Sequence, residues 1–163
     1  MKQTIYLAGG CFWGVQEYYD RLKGVLSTKA GYANGKKENP TYQEVRSQAT
    51  GHAETVEVVF NDEVISLKTL LEHFLRFVDP YAVNRQAHDI GTQYRSGVYY
   101  VSEDQAKITK AYFDSVLNPG YAIEIKPIAC FYDAEEYHQD YLKKNPEGYC
   151  HVNLGLIKKS EAK

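Results

Sequence analysis

One cysteine of the chain, Cys11, directly follows the pair Gly9-Gly10 and directly precedes Phe12 and Trp13, the only tryptophan. The glycines permit a tight turn at the end of a short apolar strand, and a helical pattern begins after the cysteine. The free N–H groups and the dipole of a helix N-terminus lower a thiol pKa from about 8.5 into a range of roughly 3.5–7.5. The pattern favours a nucleophilic thiolate beside an aromatic pocket for a small apolar group. The alternative is a buried cysteine whose aromatic neighbours fill a sheet edge.

A glutamate, Glu54, begins the more apolar face of a predicted strand. Strand parity places it on the same side as Val56, Val58 and Phe60. A carboxyl group removed from water has a raised pKa and stays protonated near neutral pH, which suits a general acid. Strand parity alone supports a buried general acid and a solvated glutamate at a frayed strand end about equally.

Two polar residues of a long loop, Asp89 and Tyr94, are further candidates for one site, because the loop can deliver a carboxylate and a phenol together. Loops of this length in compact domains are often functional. On spacing alone, however, a turn-forming aspartate and a core tyrosine are favoured.

The other two cysteines differ in their surroundings. Cys150 lies in a glycine-bearing, mobile-looking segment near the C-terminus, which makes it a plausible partner for an oxidised Cys11. The alternative is an exposed thiol without a use, although such thiols are usually avoided. Cys130 lies among apolar residues of a predicted strand and is interpreted as a small buried hydrophobe.

The composition excludes several classes of protein. The chain has 163 residues, a net charge of −2 and three cysteines, so no broad basic surface indicates nucleic acid or a membrane, and a disulfide scaffold is not expected. The five histidines have no ligand spacing, and His73 falls on the polar face of its predicted helix, so no metal is expected. Few cysteines and no apolar run of membrane length suggest a reducing, cytoplasmic compartment.

Strands and helices alternate irregularly along the chain, which predicts one α+β domain over residues 1–163. The order fits a mixed sheet with a βαββαβ core, appended elements and a C-terminal loop followed by a charged tail. The predicted strands are Thr4–Ala8, Val25–Tyr32, Ala53–Phe60, Gly97–Val101 and Ile123–Phe131. The predicted helices are Phe12–Leu22, Thr41–Gln48, Leu67–Val78, Asp104–Leu117 and Ala134–Lys144.

Seven motifs in order give a resemblance over nearly the whole chain, from about residue 5 to residue 156. They are GCFWG, NPTYQEV, TGHAETVEV, NRQ, DIGTQYRS, YHQDYLKKNP and GYC. With them the sequence closely resembles the A-type peptide methionine sulfoxide reductases. The resemblance implies an α+β fold with a ferredoxin-like core, in agreement with the element order.

The resemblance implies a role for each matching position. Cys11 matches the nucleophile, Phe12 and Trp13 the pocket for the substrate methyl group, and Glu54 the acid beneath the sulfoxide oxygen. Tyr42 and Tyr94 match phenols that hydrogen-bond that oxygen, and Asp89 matches a residue that orders the site. Tyr149 and Cys150 match the recycling segment. No cysteine follows Cys150, as one does in some members, and a two-step disulfide relay is therefore not expected. Ala87-His88 stands before Asp89, where many members have Gly-Asn.

The implied activity is the reduction of methionine S-sulfoxide, free and in proteins, as repair of oxidative damage. Cys11 becomes a sulfenic acid, Cys150 condenses with it to a disulfide, and thioredoxin reduces the disulfide. No cofactor is implied, and a monomer is the family expectation. The residues alone are also compatible with three other classes of protein: a Cys–His hydrolase, a thiol peroxidase and a non-catalytic aromatic binding module.

Overall fold

The structure is a computed structural model that describes residues 1–163. Its strands are β1 (Lys2–Gly9), β2 (Val25–Ala33), β3 (Ala53–Asn61), β4 (Arg85–Gln86), β5 (Asp89–Ile90), β6 (Ser96–Tyr100), β7 (Glu124–Pro127) and β8 (Phe131–Asp133). Its α-helices are α1 (Phe12–Asp20), α2 (Tyr42–Arg46), α3 (Leu67–Phe77), α4 (Glu103–Val116) and α5 (Tyr141–Lys144). Short 3-10 helices cover Thr92–Tyr94, Glu136–His138 and Leu154–Leu156. None of the helices has the length and apolar character needed to cross a bilayer.

Six strands form one mixed sheet in the order β7-β6-β1-β3-β2-β8. Its four inner strands, with α1 between β1 and β2 and α3 between β3 and β6, form a βαββαβ unit. Neighbouring strands of this unit are antiparallel, whereas β7 joins β6 in parallel. The predicted α+β fold with a ferredoxin-like core is therefore confirmed.

The main core lies between the sheet and the helices α1 and α3. Along β3, alternate residues Val56, Val58 and Phe60 are completely buried, as the period of two requires. Ser66 is the N-cap residue of α3, and its hydroxyl accepts the Thr69 N–H. The helix packs an apolar stripe onto the same core. The core thus fixes the end of β1 and the start of α1, where Cys11 lies.

The segment predicted as one strand over 123–131 forms two strands at opposite edges of the sheet. β7 ends at Pro127. The Asn34 side chain then accepts the N–H of Ala129 at 2.8 Å and donates to the Pro127 carbonyl at 3.2 Å. Cys130 consequently lies in the connection between β7 and β8 and is half-buried, so its predicted place in a strand was wrong.

The helix predicted over 134–144 is broken into a 3-10 turn and the four-residue α5. Asp140 between them adopts a left-handed conformation, with φ 52°. The side-chain amide of Gln139 forms hydrogen bonds to both backbone groups of Ala30, at 2.9 and 2.8 Å. It thus pairs with β2 in the way that a residue of a neighbouring strand would. Tertiary contacts here outweigh the local helical pattern.

The charged C-terminal tail is docked on the body of the protein. Arg76 donates two hydrogen bonds of 2.8 Å to Glu161, and the Lys23 N–H donates to the Glu161 carbonyl at 2.9 Å. Beneath the tail, His73 is only 1% exposed and its Nδ1 lies 2.6 Å from the Tyr18 hydroxyl. The predicted polar face of α3 that carries His73 is therefore not open to solvent, because the docked tail and α1 cover it.

Candidate active site

Cys11 lies at the turn between β1 and α1. Gly10 has φ +92°, a left-handed conformation that glycine adopts without strain. Cys11 is the N-cap residue of α1, as the sequence predicts, and is 8% exposed. Its sulfur therefore lies in an almost closed site at the positive end of the helix dipole.

The thiol of Cys11 does not have the lowered pKa that the helix N-terminus led us to expect. Burial is the largest influence and the neighbouring Glu54 carboxyl is the second, and together they raise the pKa well above its ordinary value. The Trp13 backbone N–H lowers the pKa but is outweighed. Without substrate, the site therefore holds Cys11 as a protonated thiol.

Glu54 lies at the start of β3, on the core face, and is 1% exposed. Its Oε1 accepts the N–H of Phe12, the residue after Cys11, at 3.2 Å. Burial raises the pKa of this carboxyl to about 8, and the Phe12 hydrogen bond only partly opposes that effect. Near pH 7 the carboxyl is therefore mostly protonated and has a proton to give.

Two phenols, Tyr42 and Tyr94, border the same space. The backbone N–H of Tyr42 donates to Glu135 at 2.9 Å, which fixes the start of α2, and Tyr94 ends a 3-10 turn. Burial, followed by the Glu54 carboxyl, raises the pKa of both phenols. They therefore remain hydrogen-bond donors over the whole physiological pH range.

The aromatic pair after Cys11 is divided between two environments. Phe12 is 1% exposed and packs against the ring of Tyr32, with centroids 5.7 Å apart. Trp13 is half-buried and stacks on Tyr141, with centroids 3.7 Å apart and planes 11° from parallel. Trp13 therefore presents the accessible aromatic surface beside the sulfur, and Phe12 supports it from the core.

The segment 135–141 contributes side chains that the sequence reasoning did not single out. His138 accepts the Trp13 indole N–H on Nδ1 at 3.0 Å, and its ring lies 4.5 Å from that of Tyr42. Glu135 accepts the Tyr32 hydroxyl at 2.7 Å as well as the Tyr42 N–H. The motif YHQDYLKKNP contains His138 and was the only signal for it, and Glu135 lay outside every motif, because these contacts join residues about a hundred positions apart.

Asp89 and Tyr149 meet at the rim of the site. Asp89 lies in β5, the second strand of the β4–β5 hairpin, and accepts the Tyr149 hydroxyl at 2.9 Å. Burial and this hydrogen bond raise the pKa of Tyr149 to about 12. The contact ties the hairpin to the C-terminal loop that carries Cys150.

Cys150 lies against the first turn of α1, and its thiol donates to the Val152 carbonyl at 3.1 Å. A Cβ atom added to Gly14 would lie 2.9 Å from the Cys150 sulfur, so the helix can be approached this closely only at a glycine. Cys150 is also among the groups that raise the pKa of Cys11, whereas Cys130 is not. All three cysteines are free thiols.

The geometry combines a protonated thiol, a protonated carboxyl and two phenols around one buried space, with a second thiol nearby. Such a site can supply a proton or hydrogen bonds to an electronegative atom while the sulfur attacks its neighbour. No group of histidine, cysteine, aspartate and glutamate side chains is arranged to hold a metal ion.

Comparison with known proteins gives consistent matches. Residues 3–163 match the family described as peptide methionine sulfoxide reductase. Peptide methionine sulfoxide reductase MsrA of Clostridium botulinum is 52% identical over 157 residues, which are 94% of this chain and 99% of that protein.

Solved structures agree with this match. Mxr1 from Saccharomyces cerevisiae in reduced form superposes with a TM-score of 0.80 at 42% identity, covering 91% of this chain and 88% of Mxr1. Mxr1 in complex with Trx2 superposes with a TM-score of 0.55 at 31% identity, covering 86% and 84% of the two chains.

Proposed function

The chain belongs to the peptide methionine sulfoxide reductase family, and we propose that it reduces methionine S-sulfoxide, free and in proteins, through the thiol of Cys11. The observation that carries this proposal is the buried Glu54 carboxyl, which accepts the backbone N–H of the residue after Cys11 and whose pKa is raised to about 8 by burial. A sulfoxide sulfur is a weak electrophile until its oxygen receives a proton or strong hydrogen bonds. An acid fixed beside the thiol meets that requirement.

In the first step, the Cys11 sulfur attacks the substrate sulfur while Glu54, Tyr42 and Tyr94 stabilise the oxygen. The oxygen leaves the substrate sulfur and is carried by Cys11 as a sulfenic acid, so methionine is released two electrons more reduced. Trp13, supported from the core by Phe12, provides the apolar surface for the substrate methyl group, with Asp89 and Tyr149 at the rim. The raised pKa of Cys11 means that the thiol loses its proton in the occupied site rather than before binding.

In the second step, the Cys150 thiol attacks the Cys11 sulfenic acid. A disulfide forms, the S–O bond breaks, and the hydroxyl leaves with the thiol proton as water. The position of Cys150 against α1, beside Gly14, supports this choice of partner over Cys130.

In the third step, a thioredoxin reduces the disulfide by thiol–disulfide exchange. The complex of the related Mxr1 with Trx2 supports this reductant. We propose the same order of events for a monomer in the cytoplasm, with repair of oxidised methionine as its biological role and no cofactor.

The test is single-turnover reduction of the two epimers of a methionine sulfoxide peptide by reduced enzyme. We expect about one equivalent of methionine from the S epimer and none from the R epimer. Cys11→Ser should form no methionine, since an alcohol is a far weaker nucleophile than a thiolate, and should keep the wild-type circular dichroism spectrum. Turnover by Cys11→Ser would refute the assignment of the nucleophile, and faster consumption of peroxide than of sulfoxide would favour a thiol peroxidase.

A further inference from the structure

We infer that His151 is a positioning residue that holds Cys150 in place for disulfide formation, an inference that rests on the proposed function. His151 directly follows Cys150, and its Nε2 lies 2.8 Å from the carbonyl oxygen of Gly9, two residues before Cys11. One hydrogen bond therefore connects the strand end that carries the first sulfur to the loop that carries the second.

The histidine ring is packed against the turn that precedes Cys11. A Cβ atom added to Gly10 would lie 2.8 Å from Cβ of Gln86 and 2.9 Å from Nε2 of His151, so the two side chains enclose the turn. Gln86 is itself fixed by two hydrogen bonds to the backbone of Asp79, at 2.9 and 3.1 Å. The ring of His151 thus rests on a rigid surface.

The hydrogen bond defines how His151 acts. A carbonyl oxygen only accepts, so Nε2 carries the hydrogen and Nδ1 holds a lone pair, and Nδ1 is buried without a partner. Burial is the largest influence on His151 and lowers its pKa, so the ring is neutral near pH 7. Because Nε2 donates in either protonation state, the anchor needs a donor at that position and not a charge.

Anchoring matters because a disulfide demands a narrow geometry. The two Cα atoms must approach to roughly 4.4–6.8 Å, and a loop that explores many conformations reaches this arrangement only part of the time. The loop is also held beyond His151, where Arg76 donates to the Leu156 carbonyl at 3.1 Å. The thiol of Cys150 therefore lies on a segment fixed on its C-terminal side at two points.

The positioning by His151 affects only the second chemical step, the formation of the disulfide. Cys150 supplies the thiol and Cys11 the sulfenic acid, the S–S bond forms, and water leaves with the oxygen and the thiol proton. No external oxidant is required, and His151 neither gives nor takes a proton.

The experiment compares His151→Leu, His151→Gln and the control Glu147→Gln, an exposed side chain of the loop that carries Cys150. Reduced enzyme receives about one equivalent of methionine S-sulfoxide. Methionine formed reports the first step, and the decay of sulfenic acid trapped with dimedone reports the second. We expect His151→Leu to slow sulfenic acid decay about tenfold relative to methionine formation, the effect of losing one partly buried hydrogen bond.

His151→Gln should restore the second step to within about threefold of wild type, since its amide nitrogen can donate from nearly the same position as Nε2. Glu147→Gln should behave as wild type. Equal decay rates in His151→Leu and wild type would overturn the inference, and so would a His151→Gln variant as slow as His151→Leu. If His151→Leu does not fold, His151→Asn, with the same amide on a shorter side chain, takes its place with the same expected result. Absence of methionine from the wild type would instead contradict the proposed function.

Discussion

The buried carboxyl of Glu54 predicts a specific pH dependence of stability. The folded state has a pKa of about 8 at this carboxyl, against 4.5 for the group in water. Because the folded-state pKa is raised, the associated stability is present in full below about pH 4.5 and is lost as the pH rises through 8. The full difference corresponds to roughly 5 kcal/mol, of which roughly 3.5 kcal/mol is lost between pH 5 and pH 8.

The assay is urea unfolding of wild type and Glu54→Gln at several pH values from 5 to 9. Glutamine keeps the size of the side chain and has no proton to lose. The free energy of unfolding of the variant minus that of wild type should therefore rise by roughly 3.5 kcal/mol between pH 5 and 8. Taking the difference between the two proteins cancels the titration of other groups. Glu57→Gln, on the opposite face of the same strand, is the control and should follow wild type. Parallel curves for wild type and Glu54→Gln would refute the raised pKa of Glu54.

The remaining predictions separate chemistry from recycling. Glu54→Gln should slow single-turnover methionine formation by about 10²–10⁴-fold, the usual contribution of a positioned acid, and an unchanged rate would exclude that role. Gly14→Ala should slow formation of the Cys11–Cys150 disulfide while methionine still forms, because the new methyl group would lie 2.9 Å from the Cys150 sulfur; a wild-type rate of disulfide formation would contradict this. Cys150→Ser should form about one equivalent of methionine and then stop with thioredoxin, with partial recovery in dithiothreitol, whereas Cys130→Ser should cycle normally. A Cys11–Cys130 link in the mass spectrum of oxidised wild type would reverse these two assignments.

Local periodicity predicted the parts of the molecule in which sequence neighbours determine the structure. The period of two along β3 placed Glu54 on the apolar face, and the glycine pair before Cys11 predicted the turn into α1. The pKa of Cys11 was not predictable in this way. The helix N-terminus is a local feature, whereas the burial that outweighs it depends on the packing of the whole site.

Contacts between distant parts of the chain account for what the sequence did not reveal. His138 and His151 meet Trp13 and Gly9 across 125 and 142 positions, so they show no local pattern. The broken strand after Pro127 likewise depends on Asn34, more than ninety positions away. For His138 the match of motifs was the available signal, and for His151 it was the neighbouring Cys150, a predicted partner of Cys11.

The placement of β7 and β8 determines the overall shape of the sheet. A flat sheet of six strands would hold its edges about 24 Å apart, yet the four-residue step from Pro127 to Phe131 spans about 14 Å at most. The sheet must therefore curl until its edges face each other, and the Asn34 side chain bridges the seam to Pro127. Open strand edges pair readily with other chains. Because its edges are short and turned towards each other, the sheet offers other chains little edge with which to form a shared sheet.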